Sequence, residues 1–358
     1  MLTLPAKQNR SVESVLFTTD IQKSLAEELH SRSYSKVVVL MDVNTREHCL
    51  PLIQDALPSD AVQITVSAGE QHKTLETCSS IWTAMTEAVL DRHALVINLG
   101  GGVIGDMGGF CASVYKRGIP FLTIPTTLLS QVDASVGGKL GIDFMGFKNH
   151  LGVFQLPEKV LIAPSFLATL PHRELRSGYA EVIKHGLIRD LAFFRALPSK
   201  DWEQQDWSRV IRHSVGIKKA VVAIDPKEAG LRKILNFGHT IGHAVESFYL
   251  SSPNPLLHGE AIAVGMIAEG FLSFEKIGFS FEELNELSSK LLQVFGKVNL
   301  NTNDLDTILD LCAQDKKNEG NTQLFSLLPT LGDCNFNIPV TREEIKHAIL
   351  YYQQLPLA

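Results

Sequence analysis

The chain has 358 residues, of which 45% are hydrophobic and 20% are charged, a composition typical of a globular protein. This length exceeds what one ordinary hydrophobic core organises, so two domains are expected. The formal net charge of −6 and the isoelectric point near 6.1 predict no general attraction to nucleic acid or acidic membranes. A local basic pocket for a small anionic substrate is compatible with both values.

The beginning of the chain and its cysteines narrow the class of protein further. The first residues contain no basic segment followed by an apolar core, and no uncharged apolar run reaches membrane-spanning length. We therefore expect a soluble, cytoplasmic protein. The five cysteines are scattered and none forms a C-x-x-C pair, which is typical of reduced and mostly buried thiols.

The first half of the chain alternates short β-branched runs with stretches of helical periodicity. This alternation predicts an α/β domain with a largely parallel sheet. The runs that we interpret as strands are Lys36 to Met41, Val62 to Val66, Ala94 to Leu99 and Phe121 to Ile124.

A glycine-rich segment, NLGGGVIGDMGG, begins at Asn98 directly after the third of these strands. Gly100, Gly102 and Gly105 satisfy the pattern G-x-G-x-x-G, in which backbone N–H groups and a helix N-terminus approach a pyrophosphate. The alternative is a tight turn from strand to helix. The motif therefore predicts a Rossmann-like dinucleotide-binding domain.

The acid that usually binds the ribose is missing about 20 residues after this motif, so it has to come from elsewhere. Asp42 is the natural candidate because it follows the first strand, and the carboxyl ends of parallel strands point into the ligand crevice. An N-cap or turn role for Asp42 is the alternative.

After about Pro164 the pattern changes to long helical periodicities. Three prolines near the change, Pro157, Pro164 and Pro171, favour a connection between domains. We therefore expect an α/β domain over residues 1–164 and an all-α domain over residues 165–358. The predicted helices include Ser208 to Ala223, Leu231 to Tyr249, Glu260 to Glu275 and Glu282 to Phe295.

The predicted helix from Leu231 to Tyr249 has an unusual polar face. His239 and His243 lie four residues apart, a spacing that can bind one zinc ion, but H-E-x-x-H is absent. Gly238 and Gly242 indicate that another group approaches this helix closely. The polar residues at helical spacing are Arg232, Asn236, His239, His243 and Glu246.

His258 follows in the chain, at the start of an almost wholly apolar helix. One such histidine is more often structural, but three within twenty residues favour metal or anion binding. A catalytic zinc needs a further ligand, and in GYAEVIKHG the residues Glu181 and Lys184 share one helical face. They are either an acidic ligand and a substrate cation or an exposed ion pair.

Six motifs taken together resemble the 3-dehydroquinate synthase family. With Glu70 and Lys73 they cover about residues 42 to 317, and they occur in the family's order: GGGVIGDMGGF, TIPTTLLSQVDASVGGKLGIDF, KNHLGVF, GYAEVIKHG, LRKILNFGHTIGHAVE and HGEAIAVGM. The resemblance implies an N-terminal dinucleotide-binding domain, a helical C-terminal domain, one NAD and one zinc per subunit, with cobalt as the alternative metal, and a homodimer.

The resemblance also implies a role for individual residues. The implied metal ligands are Glu181, His239 and His258. The implied NAD contacts are Asp42, Glu70, Lys73, Gly101, Gly102, Asp106, Thr126, Thr127, Lys139 and Lys148. The implied substrate contacts are Asp133, Lys184, Lys218, Arg232 and Asn236 for hydroxyls and carboxylate, and Lys139, Asn149 and His243 for phosphate.

Two further phosphate contacts follow from the same resemblance. Arg117 resembles an arginine that reaches the phosphate across the dimer interface. One of Lys316 and Lys317 supplies another cation, with Lys316 favoured only slightly.

The reaction that the family implies converts 3-deoxy-D-arabino-heptulosonate 7-phosphate into 3-dehydroquinate and phosphate. It consists of transient oxidation by NAD, β-elimination of phosphate, re-reduction and intramolecular aldol closure. The nearest alternative is a related sugar-phosphate cyclase of secondary metabolism, against which Arg232 and Asn236 favour a carboxylate-bearing substrate. A metal-dependent NAD polyol dehydrogenase and a catalytically inactive scaffold are further alternatives.

Overall fold

The computed structural model describes residues 14–145, 147–250, 252–301, 304–313 and 322–356. The chain divides between Leu170 and Pro171 into two compact units, whereas the sequence placed the domain boundary after residue 164. No helix in these ranges combines the length and the apolar character that crossing a bilayer requires.

The first unit is built on a six-stranded, all-parallel sheet. Its strands are β1 (Val15–Phe17), β2 (Val37–Asp42), β3 (Val62–Val66), β4 (Leu95–Gly100), β5 (Phe121–Pro125) and β8 (Lys159–Ile162). Helices α1 (Ile21–His30), α2 (Val43–His48), α3 (Leu75–Glu87) and α4 (Gly102–Val114) belong to the same unit. An antiparallel hairpin completes it, formed by β6 (Lys139–Phe144) and β7 (Phe147–Phe154).

The central strands are apolar on both faces because both faces of the sheet are covered. Val38 and Leu40 of β2 belong to one core cluster, whereas Val39 and Met41 belong to a second cluster. Alternate residues of a strand point to opposite faces, so the two clusters lie on opposite sides of the sheet. The four predicted strands are all present, within one residue at each end.

The order of the strands defines where a ligand can bind. The sheet runs β1-β8-β5-β4-β2-β3, so the chain order reverses between β4 and β2, which pair directly. In open α/β sheets, ligands bind outside the carboxyl ends of the strands at such a switch point. Asp42 ends β2 and Gly100 ends β4. The predicted ribose acid and the glycine-rich turn therefore flank the crevice expected for a dinucleotide.

The second unit is mainly helical and surrounds one buried helix. Helix α9 (His258–Ile277) is almost entirely buried. The other helices are α5 (His172–Arg189), α6 (Leu191–Ala196), α7 (Trp207–Ile224), α8 (His239–Tyr249), α10 (Phe281–Phe295), α11 (Leu305–Ala313) and α12 (Arg342–Gln354). Four of them, α5, α8, α10 and α12, pack against α9.

The helical character of this unit is confirmed, but its composition is not purely α. Strands β9 (Thr322–Thr330) and β10 (Asp333–Thr341) form an antiparallel hairpin, and β9 packs against α9. Leu327 and Leu328 of β9 are fully buried. The hairpin is stable because β9 adds its apolar side chains to the core around α9.

The predicted continuous helix from Leu231 to Tyr249 is wrong, because it breaks at Gly238. Leu231–Asn236 forms a 3₁₀-helix, and α8 begins at His239. Gly238 has φ of +79°, a conformation that favours glycine. The buried Glu269 carboxylate accepts hydrogen bonds from the backbone N–H groups of Gly238 and Ile241, at 2.6 and 3.1 Å, and so caps the new N-terminus.

Candidate active site

Three side chains from three helices converge inside the second unit. Glu181 of α5 is fully buried, and its Oε1 lies 3.4 Å from Nε2 of His239 in α8. The same oxygen lies 3.5 Å from Nε2 of His258 at the start of α9. Within the described part of the chain, this oxygen has no hydrogen bond of acceptable geometry. The predicted ligand set is therefore brought together in space.

Hydrogen bonds at Nδ1 orient the rings of His239 and His258, so both Nε2 atoms remain available at the centre of this cluster. Nδ1 of His239 lies 3.0 Å from the carbonyl oxygen of Phe237, which can only accept a hydrogen bond. Nδ1 of His258 lies 3.2 Å from Oε2 of Glu246. Both Nδ1 atoms therefore donate, and a neutral imidazole of this tautomer has its lone pair on Nε2.

The distances suit a divalent metal ion. Ligands about 2.1 Å from a tetrahedral zinc lie about 3.4 Å from one another. The separations of 3.4 and 3.5 Å between Glu181 and the two histidines match this edge length. One carboxylate and two imidazoles also match the donor types of catalytic zinc sites, which keep an open position for substrate.

The charges around the cluster favour the metal-binding forms of Glu181 and His239, an ionised carboxylate and a neutral imidazole, and favour a protonated ring at His258. Burial by itself raises the pKa of Glu181, but Lys184 and His239 outweigh it and hold that pKa well below its usual range. Burial and Lys184 lower the pKa of His239. Burial also acts to lower the pKa of His258, but Glu246 and Glu181 outweigh it and raise the value to about 9. Glu181 is thus charged, and the acidic surroundings of His258 favour a cation.

His243 lies beside this cluster. One ring nitrogen each from His239, His243 and His258 lies within 4.8 Å of the others, and the rings of His239 and His243 are 5.1 Å apart. The geometry alone therefore permits either a fourth ligand or a substrate contact at His243.

Four other residues with predicted substrate contacts belong to the same unit. Lys184 is buried and its ammonium forms an ion pair with Glu181, so the alternative of an exposed pair is wrong. Lys218 of α7 is also buried. Arg232 is 2% exposed and donates from Nη1 to the carbonyl oxygen of Pro226 at 2.7 Å. Asn236 donates from Nδ2 to Glu228 at 2.6 Å.

The glycine-rich turn in the first unit contains glycines of two kinds. A Cβ at Gly108 would lie 2.1 Å from Oδ1 of Asn98, so that glycine permits α4 to pack on β4. At Gly102 and Gly105 the nearest neighbours of a Cβ would be 3.5 and 3.9 Å away. Packing within the unit therefore does not require glycine at these two positions. Glycine there leaves space for a ligand to approach the start of α4 closely.

The buried Lys73 joins two other residues with predicted ligand contacts near this turn. Lys73 is 3% exposed and its ammonium donates to Asp106 at 2.7 Å and to Asn149 at 2.6 Å. Lys148 lies 3.4 Å from Oε1 of Glu70. Asn149 is thus joined to residues with predicted NAD contacts, although its own predicted partner is the substrate phosphate.

The remaining predicted residues of the first unit occupy turns and helix ends. Asp42 caps α2, with its Oδ1 accepting from the backbone N–H groups of residues 44 and 45. Asp42 therefore has the N-cap role that the sequence left open. Its second carboxylate oxygen can still accept a hydrogen bond from a ligand. Asp133 lies in a π-helical turn, Ser130–Ala134, and Lys139 is exposed at the start of β6. Thr126 and Thr127 follow β5, and the hydroxyl of Thr127 donates to Ser130.

Arg117 lies on an exposed turn after α4, where it has φ of +70° and its neighbour Lys116 has φ of +49°. Two consecutive non-glycine residues in this region store backbone strain, which often accompanies a functional role. Lys316 and Lys317 lie outside the described residues.

Sequence reasoning assigned no role to two carboxylates that support the cluster. Glu246 lies beside His258, and Glu269 caps α8 next to His239. A signal for Glu246 existed, because it follows His239 by seven residues and therefore lies on the same helical face. The sequence contains no such signal for Glu269, because its role depends on the break at Gly238.

Comparison with solved structures first defines the class. The chain superposes on 2-epi-5-epi-valiolone synthase from Streptomyces hygroscopicus subsp. jinggangensis, a structure with NAD⁺ and Zn²⁺ bound, with a TM-score of 0.84 and 29% identity. The match covers 98% of this chain and 99% of that one. The fold is that of the sugar-phosphate cyclases related to 3-dehydroquinate synthase.

Sequence comparison is more specific. The N-terminal model of 3-dehydroquinate synthase matches residues 63–177 and the C-terminal model matches residues 178–318. A 3-dehydroquinate synthase from Parabacteroides distasonis is 41% identical over 96% of this chain and 99% of its own length. One from Streptococcus pyogenes is 38% identical, covering 88% of this chain and 89% of its own. The chain belongs to the 3-dehydroquinate synthase family.

Proposed function

We propose that this protein is a 3-dehydroquinate synthase, a phosphate-eliminating lyase of the shikimate pathway that depends on NAD and a divalent metal ion, Zn²⁺ or Co²⁺. Its substrate is 3-deoxy-D-arabino-heptulosonate 7-phosphate. The observation that carries the proposal is the convergence of Glu181, His239 and His258, with both histidine nitrogens at tetrahedral ligand spacing from Glu181, in a chain 41% identical to a relative with this name.

The two units bind different ligands. In the first unit, Asp42, Gly101 and Gly102 flank the switch point and hold NAD, while Lys73 and Lys148 supply cations nearby. Further NAD contacts come from Glu70, Asp106, Thr126, Thr127 and Lys139. In the second unit, Glu181, His239 and His258 hold the metal ion.

NAD held by the first unit would supply a hydride acceptor and donor, and a metal ion held by Glu181, His239 and His258 would supply the positive charge that polarises a substrate oxygen. The chain's own groups bind and orient the substrate. Lys184, Lys218 and Arg232 are buried cations that suit its carboxylate and hydroxyls, because charge-assisted hydrogen bonds are strong away from water. Asp133 and Asn236 complete these contacts.

Phosphate binding is assigned to Lys139, Asn149, His243 and Lys316, with Arg117 contributed by the partner subunit of a cytoplasmic homodimer. The exposed and strained turn that contains Arg117 supports this assignment, since such a turn is accessible to a second copy of the chain. The cations explain how an acidic protein accepts a phosphorylated sugar acid.

The test is an assay of the purified protein with the heptulosonate phosphate and catalytic NAD, with and without a chelator. We expect release of phosphate and formation of dehydroquinate, both lost with chelator and restored by Zn²⁺ or Co²⁺. Absence of phosphate release after metal is restored contradicts the proposal.

Two further substrate arms separate the alternatives. Turnover of sedoheptulose 7-phosphate or glucose 6-phosphate in place of the heptulosonate would assign the protein to another sugar-phosphate cyclase, like the valiolone synthase whose fold it shares. Net accumulation of NADH with a polyol would instead indicate a dehydrogenase, because a cyclase returns the hydride to its substrate.

The division of roles among the histidines is tested by metal content. We expect His239→Ala and His258→Ala to weaken Zn²⁺ binding more than about 100-fold, since each removes one of three ligands. His243→Ala should retain zinc and lose turnover. Equal loss of metal in all three variants, measured by competition with a chromogenic chelator, would contradict this division.

A further inference from the structure

The two histidines of the cluster are oriented by different means. His239 donates through Nδ1 to the backbone carbonyl of Phe237, which no side-chain substitution removes. His258 donates through Nδ1 to the side chain of Glu246, at 3.2 Å. The orientation of His258 therefore depends on one replaceable carboxylate.

Helix α8 brings this carboxylate to the site. His239, His243 and Glu246 follow one another at spacings of four and three residues, so they share one face of the helix. Glu246 is 6% exposed, and a carboxylate this buried needs a polar or charged partner. The same helix thus contributes one cluster histidine directly and contacts the second through Glu246.

The charge of Glu246 also matters to a cation in this region. Glu181 and Lys184 already form a buried ion pair, so Glu181 alone does not offset a divalent ion. A second carboxylate about one imidazole ring away adds negative charge where the ion would bind. Partners on the outer nitrogen of a metal-binding imidazole fix its tautomer and raise its basicity.

We propose that Glu246 is a positioning residue for the metal site: it holds His258 with Nε2 towards Glu181 and so sets the affinity for the metal ion. This inference rests on the metal site of the proposed function. It concerns a residue outside the ligand set, and it predicts a defect in metal binding itself.

The experiment compares Zn²⁺ affinity in Glu246→Ala, Glu246→Gln and Glu28→Ala, by chelator competition on metal-free protein. Glu28 is the matched control, because it has the same 6% exposure and lies in the first unit, paired with Lys159. We expect Glu246→Ala to weaken binding about 10- to 100-fold, as for other partners of metal-bound histidines. Glu246→Gln should recover only part of this loss, since an amide oxygen also accepts from Nδ1 but carries no charge.

Two readouts separate positioning from general destabilisation. The visible absorption of the Co²⁺ form should change in Glu246→Ala and stay unchanged in Glu28→Ala. The melting temperature of the metal-free protein should not follow the affinity across the three variants. Unchanged affinity and cobalt spectrum in Glu246→Ala overturn the inference, as does an equal loss of affinity in Glu28→Ala. Failure of the unsubstituted protein to bind metal would instead overturn the proposed function.

Discussion

Lys73 places a positive charge in the interior of the first unit. Burial acts to lower the pKa of this lysine, but Asp106 and Glu70 outweigh it and raise the pKa above its ordinary value. The ammonium therefore stays charged and binds both Asp106 and Asn149. A cation held in this way is fixed before any ligand arrives, which lowers the entropic cost of binding an anion.

Replacing this lysine should destabilise the protein. We expect Lys73→Met to lower the free energy of unfolding by about 2 to 3 kcal/mol, below the range for a fully buried pair because Asp106 is partly exposed. Urea unfolding without NAD measures the change. Lys148→Met is the control, with an expected loss under about 1 kcal/mol, because Lys148 and Glu70 are both partly exposed. A similar loss of unfolding free energy in Lys73→Met and Lys148→Met would contradict the stronger contribution expected from the Lys73–Asp106 pair.

At the scale of elements, Glu283 connects the start of α10 to the hairpin of the second unit. Its carboxylate accepts from the hydroxyl of Thr330 and from the backbone N–H of Leu331, the latter at 2.9 Å. It also closes the capping box with Ser280. Burial acts to raise the pKa of Glu283, but these hydrogen bonds outweigh it and lower the pKa.

This lowered pKa makes the connection dependent on pH. Because the folded-state pKa lies below the unfolded value, the stabilisation is complete above the unfolded pKa and is lost as pH falls through the folded one. Glu283→Gln should cost about 1 kcal/mol at pH 7. The difference from the unsubstituted protein should be constant from pH 7 down to about pH 5 and should shrink as urea unfolding is repeated from there to about pH 3. A difference independent of pH would show that the charge does not matter.

The contact between α8 and α9 depends on glycines, as the pattern at Gly238 and Gly242 indicated. The group that approaches them is α9: a Cβ at Gly265 would lie 1.9 Å from the carbonyl oxygen of Gly238. We expect Gly265→Ala to cost at least about 1 to 3 kcal/mol through overpacking, and to weaken zinc binding because His239 directly follows Gly238.

Gly216 offers the opposite case within α7. Apart from the neighbouring residues and the backbone of its own helix, no atom in the described part of the chain lies within 4 Å of its would-be Cβ, and it occupies a helix interior. Gly216→Ala should stabilise by about 0.5 to 1 kcal/mol and leave zinc affinity unchanged. Urea unfolding and chelator competition on both glycine variants check the pair. Stabilisation by Gly265→Ala would show that the helices separate easily.

Elements with strong periodicity were predictable, and elements defined by tertiary contacts were not. Strand β3 and helix α7 follow their patterns within one residue. The break at Gly238 was not predictable, because the apolar periodicity continues across it and the carboxylate that caps α8 comes from Glu269, 31 residues away. The hairpin of β9 and β10 was also missed, because its burial depends on α9.

At the scale of the whole molecule, the proposed homodimer makes a test of Arg117 possible. Arg117→Ala and Glu181→Ala should each inactivate the protein. If Arg117 acts across the interface, a mixed dimer of the two variants contains one site with an intact Glu181 and an intact arginine from its partner. Random exchange should then restore about a quarter of the original activity per site. No recovery after verified subunit exchange would show that Arg117 acts within its own subunit.

The candidate site was predictable only through the family's motifs. Glu181 lies more than fifty residues before His239, and no periodicity joins them, since long-range convergence depends on how α5, α8 and α9 pack. The spacing of His239 and His243 permits a ligand pair, and the structure places His243 beside His239 and His258 while it also brings both of these histidines to Glu181. Physical reasoning on one sequence finds the donors but not their grouping.

The glycine contact between α8 and α9 has a consequence for how this protein tolerates change. Backbone atoms of the two helices touch at Gly238 and Gly265, so this contact, and not the connecting segment after Leu250, fixes the separation of His239 and His258. Insertions or deletions in that connection therefore leave the ligand geometry intact. A change in the length of this loop should therefore be tolerated, whereas a side chain at either glycine should not.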